Sequence, residues 1–266
     1  MPDTVNKLPN SFIQCLWGVF PTDQGYKDNR FYHRRKKMIN DMTLSHMNYY
    51  SPRTKVYVFG RDNFNYTIDQ GFNAVMIDKR PFVFDMDKEQ YAHKLLVWQY
   101  ALQEFKSIVY TDFDTITIKP VPLDFWDVMD KGQPIRSTIY QYSKKRAPYR
   151  KGHERKISSA SWVYMRGKEH ADNLLKTWID IGRPMKEEYA LSRYIDKLNP
   201  LPFSPEAYKP FDCPYYQLQK IDGLPKNKED MVWKHFNHYG VSHLLGDGTG
   251  IKNRIDQDVI LNKEYL

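Results

Sequence analysis

The chain has 266 residues, enough for one sizeable α/β core, and its 41% hydrophobic and 27% charged residues match an ordinary globular composition. Two cysteines, Cys15 and Cys213, exclude a disulfide framework and a Cys-x-x-Cys metal signature, and no run of about 18 apolar residues could cross a bilayer as a helix. With no charged leader ahead of an apolar run, the expectation is a soluble, unsecreted, cytoplasmic chain; its net charge of +8 permits attraction to polyanions without choosing between nucleic acid and an anionic membrane.

Residues 12–20 (FIQCLWGVF) form an apolar run of strand length after a polar leader containing Pro2 and Pro9, and are read as the first buried strand. Residues 27–46 open with Arg30, Arg34, Arg35, Lys36 and Lys37 before the helical spacing of Met38, Ile39 and Met42. Residues 56–59 and 74–77 read as strands ended by Gly60 and Asp78, with Asn63 and Gly71 in turn positions. The strand, helix, strand spacing predicts a mostly parallel sheet, whose ligands gather at the carboxyl ends of strands, here near residues 60–63 and at Asp112. Residues 89–105 carry Tyr91, Leu95, Trp98 and Leu102 as a helical stripe leading directly into the next strand.

That strand opens residues 107–119, SIVYTDFDTITIK. Two short β-branched segments flank Asp112-Phe113-Asp114. In extended backbone residues i and i+2 share a side, so Asp112 and Asp114 can converge on one point while Phe113 faces away. Such a point suits Mg²⁺ or Mn²⁺, which take oxygen ligands and complete their shell with water and phosphate. On its own, an Asp-x-Asp at a strand end is more often a turn with solvated carboxylates.

Beyond it, residues 125–129 read as a short helix and 135–142 as a strand. Residues 144–156 hold seven Lys or Arg against one Glu, with Tyr140, Tyr142 and Tyr149 nearby: a solvated loop or a surface facing nucleic acid. Residues 160–165 form a strand candidate and 168–181 a helix with Leu174, Leu175 and Trp178 buried. Glu187 and Glu188 open a further helix, where acidic residues suit the dipole. Residues 198–225 hold five prolines among their first seventeen positions and are expected to be irregular. Residues 233–243 bring His235, His238 and His243 close in sequence, followed by Gly246, Gly248 and Gly250 as a flexible turn; residues 256–262 are a C-terminal helix candidate.

The segment Tyr110-Thr111-Asp112-Phe113-Asp114-Thr115, entered from a helix and an apolar strand, resembles the metal-binding Asp-x-Asp of nucleotide-sugar glycosyltransferases with the GT-A fold, nearest to glycosyltransferase family 8. The resemblance covers about residues 12–245. It implies one α/β GT-A domain over residues 1–266, with a mostly parallel central sheet and helices on both faces. It further implies a Mn²⁺ or Mg²⁺ held by Asp112, Asp114 and His238, with His235 as rival, bridging the diphosphate of a nucleotide sugar, UDP-linked by expectation. Lys94 stands where the family carries a basic residue that reaches the donor, and Gly240 belongs to the His238-Tyr239-Gly240 match. Ser159-Ala160-Ser161 replaces the family's Asn-Ser-Gly. Asp114 and Glu188 are the catalytic candidates, Glu188 as base if the reaction inverts and as a helix cap if it retains configuration. The basic charge and residues 144–156 favour DNA carrying a hydroxymethylated pyrimidine as acceptor, as in the DNA-modifying glycosyltransferases of bacteriophages. The alternatives are a surface glycan or lipopolysaccharide acceptor and, from other classes, a nucleic-acid-binding module or a nucleotidyltransferase.

Overall fold

The computed structural model describes residues 8–16, 54–69, 71–77, 89–112, 115–117, 120–141, 156–184, 186–199, 206–218 and 232–235. Among these, a six-stranded sheet has the order β3-β2-β1-β4-β7-β6, where β1 is Leu8–Leu16, β2 Lys55–Val58, β3 Ala74–Met76, β4 Phe105–Thr111, β6 Ile135–Gln141 and β7 Lys156–Arg166. The pairs β1–β2, β1–β4 and β2–β3 are parallel; β7 is antiparallel to both β4 and β6, so β7 alone runs against the others. A small second sheet joins β5 (Thr115–Thr117), β9 (Trp233–His235) and β8 (Tyr216–Leu218).

Strand alternation sends side chains to two cores. On one face Ile13, Cys15, Tyr57, Ile108 and Tyr110 meet α2 (His93–Glu104), α4 (Lys168–Asp180) and α5 (Glu187–Leu198). On the other, Phe12, Val109, Trp162 and Tyr164 meet Phe125 and Met129 of α3 (Phe125–Lys131), together with Cys213 and Trp233. The described helices therefore cover both faces of a mostly parallel sheet, as the expected architecture requires. α2 is buried nearly all round, with Leu95, Leu96, Val97, Trp98, Ala101 and Leu102 inaccessible, because it lies between the sheet and α4. The turns into α1 (Arg61–Asp69) and α4 pass through Gly60 at φ 91° and Gly167 at φ 86°, a region that disfavours a Cβ.

Five local expectations change. Asn63 is not in a turn: it is buried within α1, its Nδ2 donating to Phe59 O and its own carbonyl accepting from Thr67 Oγ1, both at 2.7 Å. β1 begins at Leu8, before Pro9, because β2 reaches it only from Ile13 onward and a missing N–H on the uncovered part breaks no bond with β2. The helix before β4 starts as a 3₁₀ turn at Gln90–Ala92 and ends at Glu104, leaving Phe105 extended at φ −104°, ψ 151°. The proline-rich segment contains a 3₁₀ helix, Glu206–Phe211, and β8, so it is not irregular throughout. β7 also starts earlier than predicted, so Lys156 of the basic stretch is strand backbone. A β-bulge falls between Ser137 and Thr138 of β6, where Asp212 Oδ1 accepts from Ile139 N at 2.8 Å and Cys213 N donates to Ser137 O at 2.9 Å. The helix predicted at 27–46, residues 144–155 of the basic stretch and everything after His235 lie outside the described residues.

Candidate active site

Asp112 follows the last residue of β4. Its N–H donates to Ser161 O on β7 at 2.9 Å, and its carbonyl accepts from Thr115 N at 3.1 Å, closing the passage from β4 to β5. Two residues from Tyr110, its side chain shares the α2 face, and Tyr110 OH donates to Asp112 Oδ1 at 2.6 Å. From the first turn of α2, Lys94 Nζ lies 2.8 Å from Asp112 Oδ1 and 2.9 Å from Oδ2. The same ammonium lies 2.8 Å from Oε1 of Glu187, the first residue of α5. The Lys94 and Glu187 side chains are 5% and 3% exposed, against 18% for Asp112, so the carboxylate at the strand end is the part of the cluster that reaches solvent.

The chain builds this cluster by ordinary means. Glu187 precedes Ala190, Leu191, Tyr194 and Ile195 at i+3, i+4, i+7 and i+8, and all five are buried. It is therefore on the apolar stripe of α5 and turns inward with it. Tyr91 and Tyr110 place their rings 5.9 and 5.7 Å from Lys94 Nζ, favourable faces for a cation. Arg183 stacks over Trp178 at 5.2 Å and pairs with Glu89, tying the connection between α4 and α5 to the entry of α2.

Burial alone would push the Lys94 ammonium toward neutrality, but Asp112 and Glu187 outweigh it and hold the pKa above the ordinary lysine value. Burial raises Glu187 to about 7; Lys94 opposes this, while Glu188 and Asp112 reinforce it. The Tyr110 hydroxyl is pushed up by burial and then by the Asp112 charge. Burial likewise raises the Cys15 thiol, against the pull of Lys94, which leaves it an unreactive neighbour. One ammonium thus sits between two carboxylates, and with both ionised the cluster carries one net negative charge.

Of the residues singled out in the sequence, Lys94 and Asp112 come together. Glu188 is half-buried one position beyond Glu187, and its carbonyl accepts from Ser192 Oγ at 2.7 Å. Ser159 and Ser161 are buried on β7 with their hydroxyls 3.1 Å apart. Thr115 opposes His235 in the β5–β9 register, so the chain leaves β9 at the Thr115 end of β5. Asp114, His238 and Gly240 lie outside the described residues. Among the described residues, no three His, Cys, Asp or Glu are grouped to hold a metal. Sequence spacing alone does not pair Glu187 with Lys94; the buried stripe from 187 to 195 is the signal that separates it from Glu188.

No family model matches the chain, and no curated protein matches it. Solved structures do. Mouse xyloside xylosyltransferase 1 in its apo form is 8% identical over 87% of this chain and 99% of its own, with a TM-score of 0.50. The galactosyltransferase LgtC, in complex with donor and acceptor sugar analogs, is 11% identical over 85% of this chain and 87% of its own, with a TM-score of 0.47. The apo-form glycosyltransferase GlyE of Streptococcus pneumoniae TIGR4 is 12% identical over 74% of this chain, with a TM-score of 0.40; the match spans 44% of GlyE. The xylosyltransferase likeness shows the fold: an α/β chain with the architecture of GT-A glycosyltransferases.

Proposed function

We propose that the chain is a metal-dependent glycosyltransferase that moves a sugar from a nucleoside-diphosphate sugar, UDP-linked by preference, to an acceptor hydroxyl. The observation that carries this reading is Asp112, a partly exposed carboxylate at the carboxyl end of β4, gripped from behind by Lys94 and Tyr110. Ligands of open α/β sheets collect at that end.

Asp112 offers a hard divalent cation one carboxylate oxygen. Oδ1 accepts from both Tyr110 and Lys94, whereas among the described residues Oδ2 accepts from Lys94 alone, which leaves it an acceptor position to offer. Asp112, with Asp114 and His238, would hold Mn²⁺ or Mg²⁺. When bound, the ion supplies positive charge against the departing diphosphate. The protein's part is to orient Asp112 and, through Glu187, to offset the Lys94 charge so that the site stays attractive to a cation. Gly240 belongs to the donor side. Glu188 serves as base if the reaction inverts; a retaining reaction needs none.

For the acceptor, the net charge of +8 and the basic residues 144–156 support DNA carrying a hydroxymethylated pyrimidine, which would have to leave the base stack to react. The test is nucleoside diphosphate release from a panel of sugar nucleotides with Mn²⁺, with and without such DNA, in wild type and Asp114→Ala. DNA-stimulated release lost in the variant supports the metal and the acceptor together. Release indifferent to DNA keeps the transferase and moves the acceptor to a glycan. Pyrophosphate release identifies a nucleotidyltransferase, and no release from any donor overturns the enzymatic reading in favour of a nucleic-acid-binding module.

A further inference from the structure

Lys94 has three ammonium protons, and three carboxylate oxygens lie within 2.9 Å of its nitrogen: Asp112 Oδ1 and Oδ2 and Glu187 Oε1. It is buried beneath Asp112, with the rings of Tyr91 and Tyr110 beside it. So placed, it has the geometry to fix the plane of the Asp112 carboxylate, with Tyr110 OH pinning Oδ1. Glu187 holds the ammonium from the far side, on a helix whose start is tied to the entry of α2 through Arg183 and Glu89.

We propose that Lys94 and Glu187 are positioning residues for Asp112, setting its affinity for a divalent cation by aligning its carboxylate. The inference rests on the metal-dependent reading above. Partners that orient a ligating carboxylate typically change metal affinity 10- to 100-fold when removed. Removing Glu187 alone would change the local charge as well as the alignment. Replacing both members, Lys94→Met with Glu187→Leu, removes one positive and one negative charge, so the net charge of the cluster is kept while the brace is lost. Apolar replacement of a whole buried ion pair is also compatible with folding.

The experiment titrates Mn²⁺ into the full chain with and without saturating UDP, reading free Mn²⁺ by electron paramagnetic resonance, for wild type, Glu187→Gln, Glu187→Asp and the double variant. The expected result is at least about tenfold weaker Mn²⁺ binding in Glu187→Gln and in the double variant, with partial recovery in Glu187→Asp. Wild-type affinity in a folded double variant would overturn the proposal. A wild-type chain that binds no Mn²⁺ either alone or with UDP removes the metal reading itself and this inference with it.

Discussion

The two ends of β4 each bury a tyrosine hydroxyl against an aspartate, and they do so to different effect. At the amino end Tyr164 OH and Ser107 Oγ donate to Asp130 Oδ1 at 2.7 and 2.9 Å, and Ser107 Oγ also lies 2.6 Å from Asn10 Oδ1. Among the described residues, the cation paired with Asp130 is Lys106, 61% exposed and 3.5 Å away, worth little to stability in water. At the carboxyl end Tyr110 and Asp112 repeat the motif, but the cation is buried and a second carboxylate stands behind it. Neutral hydroxyls satisfying one carboxylate fasten α3 to the sheet. Two carboxylates around one buried ammonium are a costly arrangement for fastening alone, since apolar side chains of similar size hold elements together as well or better. The contrast sets a hydroxyl-held carboxylate at one end of the strand against a buried charge cluster at the other.

Breaking the charged end should have the largest effect. Lys94→Met leaves Asp112 and Glu187 near each other without their cation, and should lower unfolding free energy by about 3–5 kcal/mol in urea titrations; the double variant with Glu187→Leu should recover most of that loss. Next is a pH slope that only the charged end should show. Glu187, facing Lys94, Glu188 and Asp112, has a folded pKa of about 7 against an ordinary 4.5. Its folded form binds protons more tightly than its unfolded form. The stability this contributes is complete below about pH 4.5 and is lost as pH rises through about 7. Urea midpoints measured from pH 5 to 8 should show this component falling in wild type and absent in Glu187→Gln. At the other end, Asp130→Ala takes the carboxylate acceptor from the Tyr164 hydroxyl, while Ser107 Oγ keeps Asn10 Oδ1, and should cost about 1–3 kcal/mol while leaving Mn²⁺ affinity unchanged. Tyr164→Phe, which removes one of those donors, should cost about 1 kcal/mol by the same measurement. An Asp130→Ala variant with weakened Mn²⁺ binding would undo the division between the two ends.

The sequence carried much of this, unevenly. β4 was legible because Ile108, Val109 and Tyr110 concentrate apolar and β-branched character in front of an acidic turn. α4 was legible from its stripe, and α5 from the acidic residues of its first turn. α1 was not: Asn63 sits where a turn residue is expected, and its helical role depends on a side-chain bond to Phe59 O that no periodicity reveals. The start of β7 was hidden by the change from basic to apolar residues. Strand pairing with β6 from Ile157↔Tyr140 through Lys156↔Gln141 holds it, and that is a tertiary fact. In the site, adjacency was the difficulty. Glu187 and Glu188 are chemically identical, and what separates them is a helical phase fixed by Ala190, Leu191, Tyr194 and Ile195. Lys94 was legible only through family resemblance, because an isolated lysine on a helix is ordinarily solvated.

The bulge in β6 bears on how the chain behaves among its own copies. An open sheet has two edges, and each is a template on which another chain can add a strand. Among the described residues one edge is β3, only three residues long. The other is β6, whose backbone is engaged at Ser137 and Ile139 by Cys213 and by the carboxylate of Asp212. An added strand would have to displace those two bonds at that point, so the carboxylate of Asp212, far in sequence from β6, occupies backbone that a neighbouring chain would otherwise pair with.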